Sequence, residues 1–285
     1  MSYRLVKGEF RLTYVNELGR LRSSSPDGDS LWFAANNPER FEGLSRRRVR
    51  FNKGGLAQLR FEGVDALELH YQGLHQHVGL ASAARDFVLA ALGFGAVTYG
   101  GASGMLARDA EVHPVPGYIL TNGVDPHGRP ISFVFAGKTP KRDGSKVEEV
   151  PLSQSINGKL VKAGMAYPMV YASLPEPMRG KVLSLAAEAR AEKAGVWKKD
   201  RTTAGVDASW LEALQEAAVW PKLFRRLAAW SGEGQGFAEW LGAAPDRDDE
   251  LEVEGERVRM SELVFEREAK VGLGKGIWGA VVVPR

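Results

Sequence analysis

The sequence contains no cysteine, which removes disulfide frameworks, thiol nucleophiles and cysteine-based zinc sites together. Histidine is scarce, with 5 residues, so any metal expected here is bound chiefly through oxygen. No apolar run approaches the ~20 residues needed to cross a bilayer; the most apolar stretch is residues 87–94. Neither charge dominates: 38 basic residues stand against 35 acidic ones, a net charge of +3 that permits a polyanionic partner without requiring one. The first nine residues carry charge where an export signal is apolar, and the expected location is cytoplasmic. What is present, 44% hydrophobic residues in a chain of 285, suffices for a full-sized core in one large or two small domains.

Along the chain, short extended segments come first, at residues 3–15, 30–35, 56–64, 117–120 and 131–136, divided by turn residues. A helix with apolar residues at helical spacing interrupts them at 81–92, with Ser82 as its expected N-cap and Gly93 as its end. Helices at 153–165 and 175–194 follow, the second expected to stop at Gly195. Strands without regular helix alternation argue against a doubly wound sheet and for a small barrel capped by helices, an α+β fold.

The composition shifts near Thr203, because Trp210, Trp220, Trp230, Trp240 and Trp278 place most of the 7 Trp in the last third. The expected division is a domain at 1–203 and a mostly helical accessory domain at 204–285, with helices at 208–218, 221–230 and 237–242. An acidic run at 246–256 is read as a solvated face, and 277–283 as a strand or buried tail. The ten-residue step between the first four Trp turns a helix by about 280°, so these residues share no stripe.

Three short motifs carry charge at strand ends. Asp27-Gly28-Asp29-Ser30 precedes the apolar Leu31-Trp32-Phe33; taken alone it is as readily a plain turn. Arg60 opens a segment carrying Glu62, Asp65 and Glu68. Arg60 and Asp65 have opposite parity in an extended chain and reach one side only if the strand ends or bulges between them, which Gly63 permits; a charged edge strand is the alternative. Asp125-Pro126-His127-Gly128-Arg129 reads as a hairpin tip with Arg129 at the start of the next strand, or as an exposed turn Arg. Further on stand Asn157-Gly-Lys-Leu-Val-Lys-Ala-Gly164-Met-Ala166 and Glu188-Ala-Arg-Ala-Glu-Lys-Ala-Gly195-Val-Trp197.

In order and spacing these motifs resemble the staphylococcal nuclease family over roughly residues 3–199. The family pattern opens with Asp-Gly-Asp-Thr, continues with an Arg strand into a Gly-Ile-Asp-Thr-Pro-Glu-like turn, then a Tyr-Gly-Arg-like turn, and closes with helices of the two types just quoted. The resemblance implies a five-stranded Greek-key barrel of the OB type and hydrolysis of phosphodiester bonds in DNA, RNA or both with little sequence preference. It further implies calcium, with magnesium or manganese as substitutes, held by Asp29, Asp65 and the carbonyl of Ala66, since carboxylate and carbonyl oxygens suit that ion. Arg60 and Arg129 would grip the phosphoryl oxygens with forked, charge-assisted hydrogen bonds, and Glu68 would position or deprotonate the attacking water.

The sequence departs from that pattern in places. Ala66 stands for the usual Thr, Leu67 for the usual Pro, and Pro126-His127 for a Lys-Tyr pair that flanks the nucleotide in the reference member; the segment 78–113 is longer than usual. For substrate contact the candidates are Arg46 and Arg48 in the basic run Arg46-Arg47-Arg48-Val49-Arg50, together with His127 and Tyr171. A solvated loop is the alternative for the basic run, and core packing for Tyr167 and Tyr171. The stretch His70 to His77 fits no metal spacing and is expected to form a loop bordering the site. Two rival readings remain: an OB-type module that binds nucleic acid without cleaving it, and an interaction scaffold in which residues 204–285 hold a protein partner or a second copy.

Overall fold

In the computed structural model, residues 2–45, 47–208, 211–230 and 234–283 are described, the side chain of Lys275 excepted. The chain forms two compact units, residues 1–62 with 85–159 and residues 63–84 with 160–285.

The first unit is a closed five-stranded barrel built from β1 (Tyr3–Arg11), β2 (Ser30–Ala35), β3 (Ala57–Phe61), β4 (Val115–Val124) and β5 (Pro130–Ala136). The order is β1-β2-β3-β5-β4, and β1 pairs again with β4 to close it. Every neighbouring pair is antiparallel except β3 with β5, which is the OB topology expected. Alternation explains the barrel: Leu59 and Phe61 of β3, with Leu31 and Phe33 of β2, are buried, whereas Gln58 is exposed and Arg60 half-buried. Strand β3 ends at Phe61 and a new short strand, Gly63–Asp65, begins after Glu62. Gly63 takes a φ of +78°, a conformation glycine adopts without penalty, so the strand does end between Arg60 and Asp65. The parting point is pinned by Asn157, whose Nδ2 donates to the carbonyls of Glu62 (2.8 Å) and Ser132 (3.0 Å) while its Oδ1 accepts from the Val134 N–H (2.9 Å). The buried Asn157 thus satisfies β3 and β5 where their ladder stops.

Helix α1 spans Val78–Leu92, α2 Ile156–Lys162 and α3 Glu176–Ala191. Ser82 lies inside α1, because the helix begins four residues earlier, so it is no cap. Gly93 does end α1, at φ +100°. Past α3 both Lys193, at φ +53°, and Gly195, at φ +51°, are left-handed. Gly195 serves a second need as well: its backbone meets that of Gly164 closely, and the Val196 N–H donates to the Gly164 carbonyl at 2.8 Å. The two family-type motifs are therefore joined at their glycines.

In the second unit, the strand Gly63–Asp65 pairs with Tyr167–Met169. Beyond residue 203 come α4 (Leu211–Gln215), α5 (Pro221–Ala229), α6 (Phe237–Gly242) and α7 (Met260–Leu263), together with two small three-stranded sheets. The tail forms a short helical turn, Lys275–Gly279, and the strand Val281–Val282. The acidic run is not simply solvated. Asp248 is buried and accepts from the N–H and hydroxyl of Ser261, and Asp249 pairs with Lys222 (2.9 Å) and Arg226 (3.1 Å) of α5. Those partners lie too far off in sequence for a local charge count to reveal them. Among the described residues, no helix is long and apolar enough to cross a membrane.

Candidate active site

The barrel unit brings three of the expected residues to neighbouring strands, Arg60 within one and Asp29 and Arg129 just before two others. Arg60 of β3 is in register with Ser30 at the start of β2 and with Ile131 near the start of β5. Asp29 directly precedes β2, and its carbonyl accepts the Phe61 N–H at 2.9 Å. Arg129 directly precedes β5.

Arg129 is held by Asp125, which the sequence marks only as a turn residue. Its Nε donates to Asp125 Oδ2 at 2.7 Å, while Asp125 Oδ1 accepts the N–H groups of His127 and Arg129, each at 2.9 Å. Burial alone would raise the Asp125 carboxyl. The backbone N–H, charge and side chain of Arg129, with the His127 N–H, outweigh it and hold the group below the usual carboxylate range. Among the described residues the terminal nitrogens of Arg129 have no protein partner, and its side chain is 26% exposed. One carboxylate thus fixes the guanidinium by its inner edge and leaves the outer fork open.

The basic run is anchored beside this turn. The Arg50 N–H donates to the Gly128 carbonyl at 2.9 Å, and the Arg50 side chain lies over Gly128 where a Cβ would strike it. His127, Arg48 and Arg50 are exposed. Arg46 lies outside the described residues.

The second unit holds the remaining residues, and there the arrangement differs from the one expected. Asp65 is fully buried and Ala66 nearly so. Both oxygens of Asp65 accept from Arg225 of α5, Oδ2 from Nη2 at 2.8 Å and Oδ1 from Nη1 at 3.2 Å. The same Nη1 donates to Glu68 Oε1 at 2.5 Å. Burial alone would favour a neutral guanidine; Asp65 first and Glu68 second outweigh it and keep Arg225 charged well beyond its ordinary range. Among the described residues no group of three or more His, Asp or Glu side chains is placed to hold an ion. With Asp65 and Glu68 both engaged by a guanidinium, the turn in this conformation does not fit calcium.

A clasp keeps the turn and α5 together. Buried Gln76 exchanges hydrogen bonds with the backbone of Glu68: its N–H donates to the Glu68 carbonyl (2.8 Å) and its Oε1 accepts the Glu68 N–H (3.1 Å). Its Nε2 donates to the Val219 carbonyl at 2.8 Å, two residues before α5. Tyr71 meets Phe224 edge-on at 6.2 Å. The stretch His70 to His77 is therefore a structural loop beside the carboxylate turn.

Tyr167 is a core residue, stacked on Trp278 at 5.6 Å, edge-on to Trp197 at 5.0 Å, and donating its hydroxyl to Asp200 at 3.0 Å. Tyr171 is half-buried and its backbone bridges to Val282. Sequence reasoning missed Asp125, Gln76 and Arg225. Asp125 had a local signal, an Asp four residues before an Arg in one turn; Arg225 had none.

No curated protein matches the chain. Residues 58–199 match the model of the staphylococcal nuclease homologue family, and with the barrel and the ordered motifs in place the chain carries a staphylococcal nuclease homologue domain.

Proposed function

We propose that this protein is a nuclease that hydrolyses phosphodiester bonds of DNA, RNA or both, with little sequence preference. The observation that carries the reading is Arg129: its inner edge is fixed by Asp125, its outer nitrogens are open, and the basic segment through Arg50 is anchored beside it. A guanidinium held this way meets phosphoryl oxygens without first ordering itself, so its hydrogen bonds strengthen as charge builds in the transition state. Arg60, on the neighbouring strand, is the second grip, and Arg48, Arg46 and His127 follow the backbone, a sequence-blind attraction. Glu68 is the residue to take the proton from water, a role it fills only when released from Arg225, whose Nη1 occupies its Oε1. The ion implied by the family, calcium or a substitute, would neutralise charge at the phosphate. Asp29, Asp65 and the Ala66 carbonyl are its proposed ligands, and the pairing of Asp65 with Arg225 leaves it no seat at the turn as it stands.

That pairing favours a second reading, a module that binds nucleic acid without cutting it. Incubation with plasmid and with single-stranded DNA and RNA, in calcium, magnesium, manganese or chelator, separates the two. Cleavage that Arg129→Ala abolishes supports the nuclease. Salt-sensitive binding with no cleavage under any ion condition supports the module.

A further inference from the structure

We propose that Arg225 is the resident cation of the turn at residues 63–68 and competes with a divalent metal for Asp65 and Glu68. The inference rests on the nuclease reading only in taking this turn as the metal side of the site.

Asp65 is fully buried, and burying a carboxylate is costly unless a cation or several donors meet it. In this fold the cation comes from the chain itself. The two terminal nitrogens of Arg225 span both Asp65 oxygens and reach Glu68 Oε1, engaging three of the four oxygens of this carboxylate pair. The guanidinium brings one positive charge to two negative ones, so the turn retains an excess of negative charge that a dication would neutralise more fully.

Arg225 is also delivered rigidly. It sits in the middle of α5, whose Lys222 and Arg226 are tied to Asp249, and Gln76 joins the Glu68 backbone to the segment entering α5. A metal must therefore displace a held side chain, and its apparent affinity falls by the fraction of molecules in which Arg225 has left.

The test is calcium binding by titration calorimetry on the full chain, comparing wild type, Arg225→Gln, Arg225→Lys, and Arg225→Gln combined with Asp65→Asn. The expected result is binding at least about tenfold tighter in Arg225→Gln than in wild type, an intermediate gain in Arg225→Lys, and loss of the gain in the double variant. Equal affinities in wild type and both single variants overturn the proposal, as does a gain that survives Asp65→Asn. If Arg225→Gln fails to fold without metal, the Arg225→Lys comparison decides by the same criterion. Tight calcium binding by Arg225→Gln without plasmid cleavage keeps this inference and removes the nuclease reading. Cleavage by wild type with unchanged calcium affinity across the series does the reverse.

Discussion

Two arginine–carboxylate sites in this protein use the same chemistry in opposite senses. At residues 125–129, in the barrel unit, Asp125 grips Arg129 by Nε and leaves the fork open. At residues 63–68, in the second unit, Arg225 spends its fork on Asp65 and Glu68. In the first case the carboxylate presents an arginine; in the second the arginine silences carboxylates. The distinction lies in which guanidinium nitrogens are engaged, since a pair of N–H groups left open can still fork onto a phosphate or carboxylate. Presence of the right residue types therefore does not decide whether a site is ready to act.

The largest expected effect breaks the second site. Arg225→Ala leaves Asp65 buried without its partner, a situation that costs about 3–5 kcal/mol, read as a lowered urea midpoint in metal-free buffer. Adding Asp65→Asn removes the orphaned charge and should recover much of that loss, a positive coupling in a double-mutant cycle. An Arg225→Ala loss below about 1 kcal/mol, the range of an exposed pair, would mean the pairing is not what holds the turn.

Next in size is the first site. Arg129→Ala removes a preorganised donor and should lower the cleavage rate by about 10²–10³-fold, with a smaller loss of stability because buried Asp125 gives up one of its three hydrogen bonds. Arg129→Lys keeps the charge without the fork and should recover only part of the rate. A stability loss as large as the rate loss would make Arg129 a structural residue and end the contrast with Arg225.

The barrel was readable because its strands alternate locally. The segment 30–35 was placed to the residue, and the break at Gly63 followed from a parity argument about Arg60 and Asp65. Asp125 was visible but underread: an Asp before Pro and Gly makes turns, and turn chemistry accounted for it without its second role. Arg225 was beyond local reading. It lies 160 residues from Asp65 and 157 from Glu68, and its helix reads as one more amphipathic segment among Trp-rich neighbours. Asp249 was hidden in the same way: in an acidic run it looks solvated, and only packing brings Lys222 and Arg226 to it.

A smaller effect concerns how Arg129 is presented. Asp125→Asn keeps one acceptor oxygen for the His127 and Arg129 N–H groups but turns the other into a donor facing Arg129 Nε, so one charge-assisted bond, about 1.5–3 kcal/mol, is lost. Stability should fall within that range, and the affinity for an oligonucleotide should fall with it, because Arg129 loses the partner that fixes its fork. If Asp125→Asn lowers stability while leaving oligonucleotide affinity and its salt slope untouched, Asp125 is a turn residue only.

The finest probe of the comparison is acid. The folded-state carboxyl of Asp125 is held below its ordinary value of 3.8, so between the two values the unfolded chain binds more protons than the folded one and stability rises with pH. The contribution is fully present above the unfolded value and is lost as pH falls through the folded one. Asp249 is depressed in the same direction, where Lys222 and Arg226 outweigh the opposing effect of burial, so wild type should soften in acid from both groups. Urea midpoints measured from pH 6 down to pH 2 should therefore fall more steeply for wild type than for Asp125→Asn, the two curves converging at the acid end. Parallel curves would mean that Arg129 and the two backbone N–H groups do not stabilise the ionised carboxylate, and the presentation of Arg129 would need another cause.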